Sequence, residues 1–295
     1  MILIIRTFLK DWILASNAIR AVCRLLSRIV RPRTDICLFE RTSDSLYLLA
    51  NGPSLVEDLR RYREMMSSSD KLVVNFMALD ARFEEIKPNV YLLADPAYFS
   101  DIESLDIMLK DKIDGLRHVL ADNVSWPMTL VVPHFALGSE LVRIVSANKN
   151  ISIIHYWTGV PCPENIVDFK GWYENRYSAP GQTVMNTAVY LGILWKYPRV
   201  VLLGADTSFH AMIHVDQETN FMYIEDEHFY GTERKYMFVD AAHKIHDRMS
   251  RQLRSIATAF AWYDKLREFA DWAGVRIINA SSFSWIDAFE RLSSA

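Results

Sequence analysis

The turn Asn51-Gly52-Pro53-Ser54, directly after the apolar run Ser45 to Ala50, is the segment of this sequence best suited to hold a ligand. Gly52 lets the backbone turn sharply, Pro53 fixes the next dihedral, and Ser54 is a residue type that caps a helix, here one beginning near Leu55. Amides left unpaired at such a helix start suit a phosphate. The spacing is neither that of a Walker loop nor G-x-G-x-x-G, so taken alone the tetrapeptide is equally an ordinary strand-to-helix turn. Other apolar runs also end in polar or glycine-bearing residues: Asn75, Asp95-Pro96, Gly204-Ala205-Asp206 and Asn279-Ala280-Ser281-Ser282. Further along, His210, His214, His228, His243 and His246 crowd one stretch, and histidine moves protons near neutral pH without special tuning. Glu225-Asp226-Glu227 in the same stretch offers hard oxygen ligands for magnesium or manganese, although a solvated loop explains it equally well.

Residues of these types need a frame to bring them together. Ser45 to Ala50, Lys71 to Asn75, Val90 to Ala94, Leu130 to Val132, Ile151 to His155, Val200 to Leu203 and Val275 to Asn279 read as strands bounded by turn residues. Helical patterns lie between several of them, clearest at Val184 to Lys196 and Arg251 to Ala273. Strands alternating with helices predict an α/β fold with a Rossmann-like, mostly parallel sheet covered on both faces. In such sheets ligands bind beyond the carboxyl ends of the strands, where the polar residues above stand. The aromatic stretch Tyr156, Trp157, Trp172, Tyr173 and Tyr177, interspersed with prolines, has the look of a sugar-stacking loop, although core and loop packing explain most such clusters.

With 51% apolar residues in 295, the chain can bury a full core as one large domain, with or without a smaller lid. Cys23, Cys37 and Cys162 are too few and scattered for a disulfide framework, which favours a reducing compartment. The net charge of −3 hides an asymmetry: residues 1–33 carry seven basic residues against Asp11, or +6, leaving −9 on the rest. An acidic body with one basic arm argues against nucleic acid as a partner. In the arm, Arg6, Lys10, Arg20, Arg24, Arg28 and Arg31 fall on one helical stripe flanked by a broad apolar face, and Pro32 ends it. Charges interrupt it too often for a spanning helix. The pattern predicts an amphipathic helix lying on an anionic membrane surface through residues 1–31, or packed on the protein itself or a second subunit.

The motifs resemble, in order and spacing, those of the bacterial CMP-sialic-acid-dependent sialyltransferases of lipooligosaccharide and related polysaccharide-cluster proteins. In that family an N-G-P-S turn follows the first strand, an Asn ends the second, and an N-P or D-P pair ends the third. This chain has Asn51-Gly52-Pro53-Ser54, Asn75 and Asp95-Pro96, then Gly181-Gln182-Thr183 opening a helix, Gly204-Ala205-Asp206 ending a strand, and a closing Val275 to Ser284 run. The resemblance covers residues 45–285 and implies a variant of the GT-A type of fold. It divides the chain into the arm, 1–33, a nucleotide-binding core, 40–206, a lid and acceptor region, 207–250, and a C-terminal helix with the closing strand, 251–295.

The resemblance also implies a glycosyltransferase holding a nucleotide-sugar donor, CMP-linked, through Asn51, Gly52, Pro53, Ser54, Asn75, Asp95, Gln182 and Thr183. Inversion would need no metal and no resident cofactor. The acceptor would be a glycan or glycolipid at the cytoplasmic face of the bacterial inner membrane. His228, in His-Phe-Tyr-Gly after an acidic run, echoes the family's lid histidine and is the expected base, with His243 and His246 in reserve. Asp206 would position the lid or a ribose hydroxyl. Where the family holds the departing phosphate with two tyrosines, this chain has Ser208 and His214. Association into a homo-oligomer is left open. Two other readings share the nucleotide core: a magnesium-dependent, pterin pyrophosphokinase-like enzyme, and a non-catalytic scaffold of a glycan-assembly complex.

Overall fold

The computed structural model describes residues 35–101, 107–158, 169–174, 181–228, 231–236, 238–240 and 245–292. The expected helix of residues 1–33 lies outside the described residues, as do His243, Tyr177 and Cys162. No helix among the described residues is long and apolar enough to cross a membrane.

The seven strands expected from the sequence are present: β1 (Ser45–Leu49), β2 (Asp70–Val74), β3 (Val90–Leu92), β4 (Met128–Pro133), β5 (Ile151–Tyr156), β6 (Arg199–Leu203) and, in the same sheet, Arg276–Asn279. Between β6 and that last strand lie small antiparallel pieces: β7 (Ile213–Val215), β8 (Met222–His228), β9 (Gly231–Tyr236), β10 (Phe238–Asp240) and β11 (Ile245–His246). Arg276–Asn279 is therefore β12, and a short β13 (Glu290–Arg291) follows. The large sheet runs β13-β12-β6-β1-β2-β3-β4-β5, with every pair parallel. The fold is α/β and Rossmann-like, as expected.

Parallel strands covered on both faces read as unbroken apolar runs, and all five residues of β1 are buried. Their side chains alternate between two cores. Leu46, Leu48, Leu72, Val200 and Leu202 pack on one face against α4 (Val184–Leu194) and α5 (Met249–Ala273). Tyr47, Leu49, Val73, Val201 and Leu203 pack on the other against α1 (Leu55–Ser67), α2 (Ile107–His118) and α3 (Glu140–Val145). Helix α4 is buried from Met185 to Leu194 on all sides and, past Asn186 and Thr187 in its first turn, is apolar all round. Trp172 is wholly buried against Tyr190, Trp262 and Phe269, and Tyr156 is buried too. Of the aromatic stretch that has the look of a sugar-stacking loop, Tyr156 and Trp172 are therefore core, Tyr173 packs at the core's edge and Trp157 is half-buried.

Strands β2 to β5 spread to one side of β1, whereas β6, β12 and β13 lie on the other. The chain reverses its winding between β1 and β6, and that reversal opens a crevice at their carboxyl ends. Strands β7, β8 and β9 form an antiparallel sheet beside it, within the segment expected as the lid.

Candidate active site at the sheet's switch point

The turn after β1 meets the end of β6 at very close range. Gly52 N donates to Gly204 O at 2.9 Å, and Ala50 N to Leu203 O at 2.9 Å. A Cβ on Gly52 would stand 2.4 Å from Asp206 Oδ1 and 2.5 Å from Gly204 O, so only glycine fits. Gly204 has φ +65°, a conformation glycine adopts without steric penalty.

Ser54 does not cap α1. Its backbone is helical and its side chain makes no capping bond. The hydroxyl instead donates to the Asp206 carboxylate, and Ser54 N donates to Asp206 Oδ2 at 3.1 Å. With Gly52 N and Ser54 N engaged, Leu55 N donating to Gly52 O at 3.0 Å, and Pro53 lacking an N–H, the turn offers a phosphate fewer amides than a bare helix start. Asp206 is buried, and its carboxylate holds the turn.

Beneath it lies Asp58, wholly buried in the first turn of α1. It accepts from Gly204 N at 2.8 Å and from Ser282 N at 2.8 Å, and its Oδ2 lies 3.3 Å from Ser54 Oγ. One carboxylate thus ties the segments after β1, β6 and β12 together. Leu55, Asp58, Tyr62 and Met66 are the buried residues of α1; the acid at an apolar-face position is the mark that Asp58 leaves in the sequence. Asn279 is buried as well, with its Nδ2 donating to Ser284 Oγ at 2.9 Å and Ile286 O at 3.0 Å, so it shapes its own loop.

Above this frame opens a cavity of about 690 Å³, lined by residues after β1, β2 and β6, by the start of α4, and by His214 of β7 and Glu225 of β8. Asn51, Gly52, Pro53, Asn75, Thr183, Asp206 and Ser208 all line it. Asn51 Nδ2 donates to Val74 O at 3.2 Å, bridging the ends of β1 and β2. Asn75 has φ +54°. Its carbonyl accepts from the Tyr91 hydroxyl, whose pKa burial pushes well up, while its carboxamide makes no hydrogen bond among the described residues. Thr207, also in the lining, has φ +53°. Positive φ on a β-branched residue is an outlier that costs about 1–3 kcal/mol and clusters at functional sites.

Thr183 begins α4 with a capping box: its Oγ1 accepts from Asn186 N at 3.3 Å and Asn186 Oδ1 accepts from Thr183 N at 3.1 Å. Its hydroxyl also hydrogen-bonds Tyr263, as does that of Thr207; burial raises the Tyr263 pKa. Three expected donor-holding residues stand outside this lining: Ser54, which is turned to Asp206, and also Asp95 and Gln182. Asp95 is exposed, outside the cavity lining, and caps its own turn by accepting from Ala97 N at 2.9 Å. Gln182 donates to Ser255 Oγ at 2.7 Å and lines a neighbouring, mostly apolar groove of about 320 Å³ against α5.

Among the histidines whose side chains are described, His214 is the one in the cavity lining. Its Nε2 lies 3.5 Å from Glu225 Oε2, and its ring stacks on Tyr223 with centroids 5.5 Å apart. His210 packs edge-on against Trp285, and His246 stacks on Phe221 at 3.6 Å. His228 ends β8, opposite Gly231 at the hairpin turn. It stands three residues past Glu225, about 10 Å along the strand, and its side chain lies outside the described residues. Glu225 enters the site as the partner of His214, and the run Glu225-Asp226-Glu227, read as a loop or metal cluster, is strand. Among the described residues no group of three or more His, Cys, Asp or Glu gathers as a metal site would.

The structure is similar to that of the MAf glycosyltransferase from Magnetospirillum magneticum AMB-1. The two are 13% identical, with a TM-score of 0.49, over 86% of this chain and 34% of that one, so this chain spans about a third of that protein. No protein-family model matches the sequence, and no curated protein matches it.

Proposed function

We propose that this chain is a glycosyltransferase that binds a nucleotide-sugar donor in the cavity between the ends of β1 and β6. The observation that carries the reading is the gathering of two unlike groups in the lining of one cavity: Asn51 and Asn75 from the ends of β1 and β2, and the His214–Glu225 pair from β7 and β8. Carboxamides read a nucleobase or ribose through paired donors and acceptors. A histidine beside a carboxylate is equipped to take a hydroxyl proton near neutral pH.

In this reading the donor is a CMP-linked, sialic acid-like sugar and the acceptor a lipid-linked or polysaccharide glycan. His214, rather than His228, is the base. With Nε2 turned to Glu225, Nδ1 receives the proton of the acceptor hydroxyl. The acceptor oxygen then bonds to the anomeric carbon as the bond from that carbon to the phosphate oxygen breaks, its electron pair leaving with the nucleotide. Asp58 and Asp206 position the turn that floors the cavity. No step calls for a metal, so turnover is expected to survive EDTA; loss of activity on chelation would favour the magnesium-dependent alternative. The residue 1–31 arm would hold the enzyme at an anionic membrane surface where such acceptors are found.

A thermal-shift panel of nucleotide sugars tests the reading. A donor at about 100 times its Kd stabilises the fold by about 2.7 kcal/mol. Response to CMP-linked sugars is expected. Response to UDP-linked sugars alone would replace the donor, and silence throughout would favour a non-catalytic scaffold.

A further inference from the structure

We infer that Phe209, Phe283 and Trp285 form the subsite that receives the acceptor, stacking against the apolar face of a pyranose ring. The inference rests on the glycosyltransferase reading of the adjoining cavity.

Large aromatic side chains left exposed together mark a binding surface more often than a packing fault. Phe209, Phe283 and Trp285 are 50%, 51% and 48% exposed. Phe283 and Trp285 meet edge to face, with centroids 6.2 Å apart at 86°. The ring of His210 props Trp285 from the side, at 4.4 Å and 87°. Phe209 belongs to the same short helical turn as His210 and itself lines the main cavity, which makes the ledge continuous with the cavity mouth.

The ledge is also built onto the catalytic frame. Trp285 N donates to Asp206 O at 2.9 Å, and Ser284 Oγ donates to Ala205 O at 2.6 Å. Ser282 N reaches Asp58 at 2.8 Å. The loop after β12 is thus anchored by the Asp58 carboxylate, which also reaches the turn after β1, and by the main-chain carbonyls of Ala205 and Asp206. Strand β12 is one strand, about 4.8 Å, from β6, and lies on the side away from Asn51 and Asn75. A donor read by those asparagines would leave the β12 side to the acceptor. Flat aromatic faces with the hydroxyls of Ser208 and Ser282 next to them in the chain match the chemistry of a sugar ring, apolar on one face and polar at its edge.

The test uses lactose and N,N′-diacetylchitobiose as probes, each up to about 100 mM, the range that covers weak carbohydrate binding, with the whole protein saturated by CMP. Saturation-transfer NMR measures each sugar's Kd, and the fluorine resonance of fluorotryptophan at position 285, assigned through its absence in Trp285→Tyr, reports the place of binding. The Trp285 resonance is expected to move with a sugar. Trp285→Ala and Phe283→Ala are each expected to weaken that sugar at least about fivefold, with Trp285→Tyr holding within about twofold. No movement with either sugar, or equal affinity in the alanine variants, overturns the inference. CMP affinity is read in the same samples: failure of CMP to bind wild type defeats the donor reading, whereas intact CMP binding with no sugar response defeats the ledge alone.

Discussion

Gly52→Ala probes the joint on which the cavity rests, and the size of its effect follows from the geometry. The added Cβ would lie 2.4 Å from Asp206 Oδ1 and 2.5 Å from both Asp206 Cγ and Gly204 O, against an ordinary contact of 3.4 Å or more. The Asp206 carboxylate must therefore retreat by about 1 Å, and its 3.1 Å bond from Ser54 N then passes out of hydrogen-bond range. Overpacking of this kind costs about 1–3 kcal/mol, and one hydrogen bond to a charged group about 1.5–3 kcal/mol. The expected loss is about 3–5 kcal/mol, or a fall in Tm of order 10 °C for a chain this long. Gly138→Ala is the matched control, because nothing lies within 4 Å of its Cβ position. Urea unfolding of both variants, with CMP calorimetry on the folded fraction, measures the difference. Should Gly52→Ala unfold within about 0.5 kcal/mol of wild type and bind CMP equally well, the close meeting of β1 and β6 is not what holds the site.

Asp58→Asn replaces one of the two acceptor oxygens with an amide that faces an N–H, since the Gly204 and Ser282 amides approach different oxygens at 2.8 Å each; urea unfolding should show a loss of about 2–4 kcal/mol, and under 0.5 kcal/mol would contradict its role. His214→Ala should lower transfer by about 10²–10⁴ with donor affinity kept, and His228→Ala should leave turnover near wild type; the reverse outcome returns the base to His228. Asp216 accepts from Thr219 N, Thr219 Oγ1, the Tyr236 hydroxyl and Glu218 N, which hold its pKa down from 3.8 to about 2. Because the folded value is depressed, its contribution to the β7–β8 turn is complete above the unfolded pKa and fades as pH falls through about 2. A carboxyl NMR titration finding an ordinary value near 3.8 would remove that turn geometry.

Much of the sheet was legible in the sequence, and the reasons are local. A strand buried on both faces must be apolar throughout, so Leu46 to Leu49 and Val200 to Leu203 announced themselves between turn residues. The same pattern placed Asn51, Asn75 and Asp206 at strand ends, and all three line the cavity. What local pattern does not carry is which strand ends are neighbours. Asp95 ends β3, two strands from β1, so its motif position resembled that of a donor ligand while its place in the sheet sets it apart. The antiparallel hairpin was hidden because Glu225, Asp226 and Glu227 are poor strand formers whose pairing depends on β9, where Glu225 faces Arg234. Thr207 was missed since a positive φ on threonine leaves no trace in residue type. Asp58 left a trace, an acid among apolar positions of α1, whose meaning depended on β6 and β12 lying alongside.

The central claim is that a nucleotide sits between the ends of β1 and β6, and side-chain amide NMR tests it at the residues themselves. On titration with CMP, the amide resonances of Asn51 and Asn75 should move together along one binding curve. Those of Asn148, buried far from the cavity against Leu120 O and Val124 O, should stay fixed. Stationary Asn51 and Asn75 signals, in a protein that either ignores CMP or binds it elsewhere, would contradict the account.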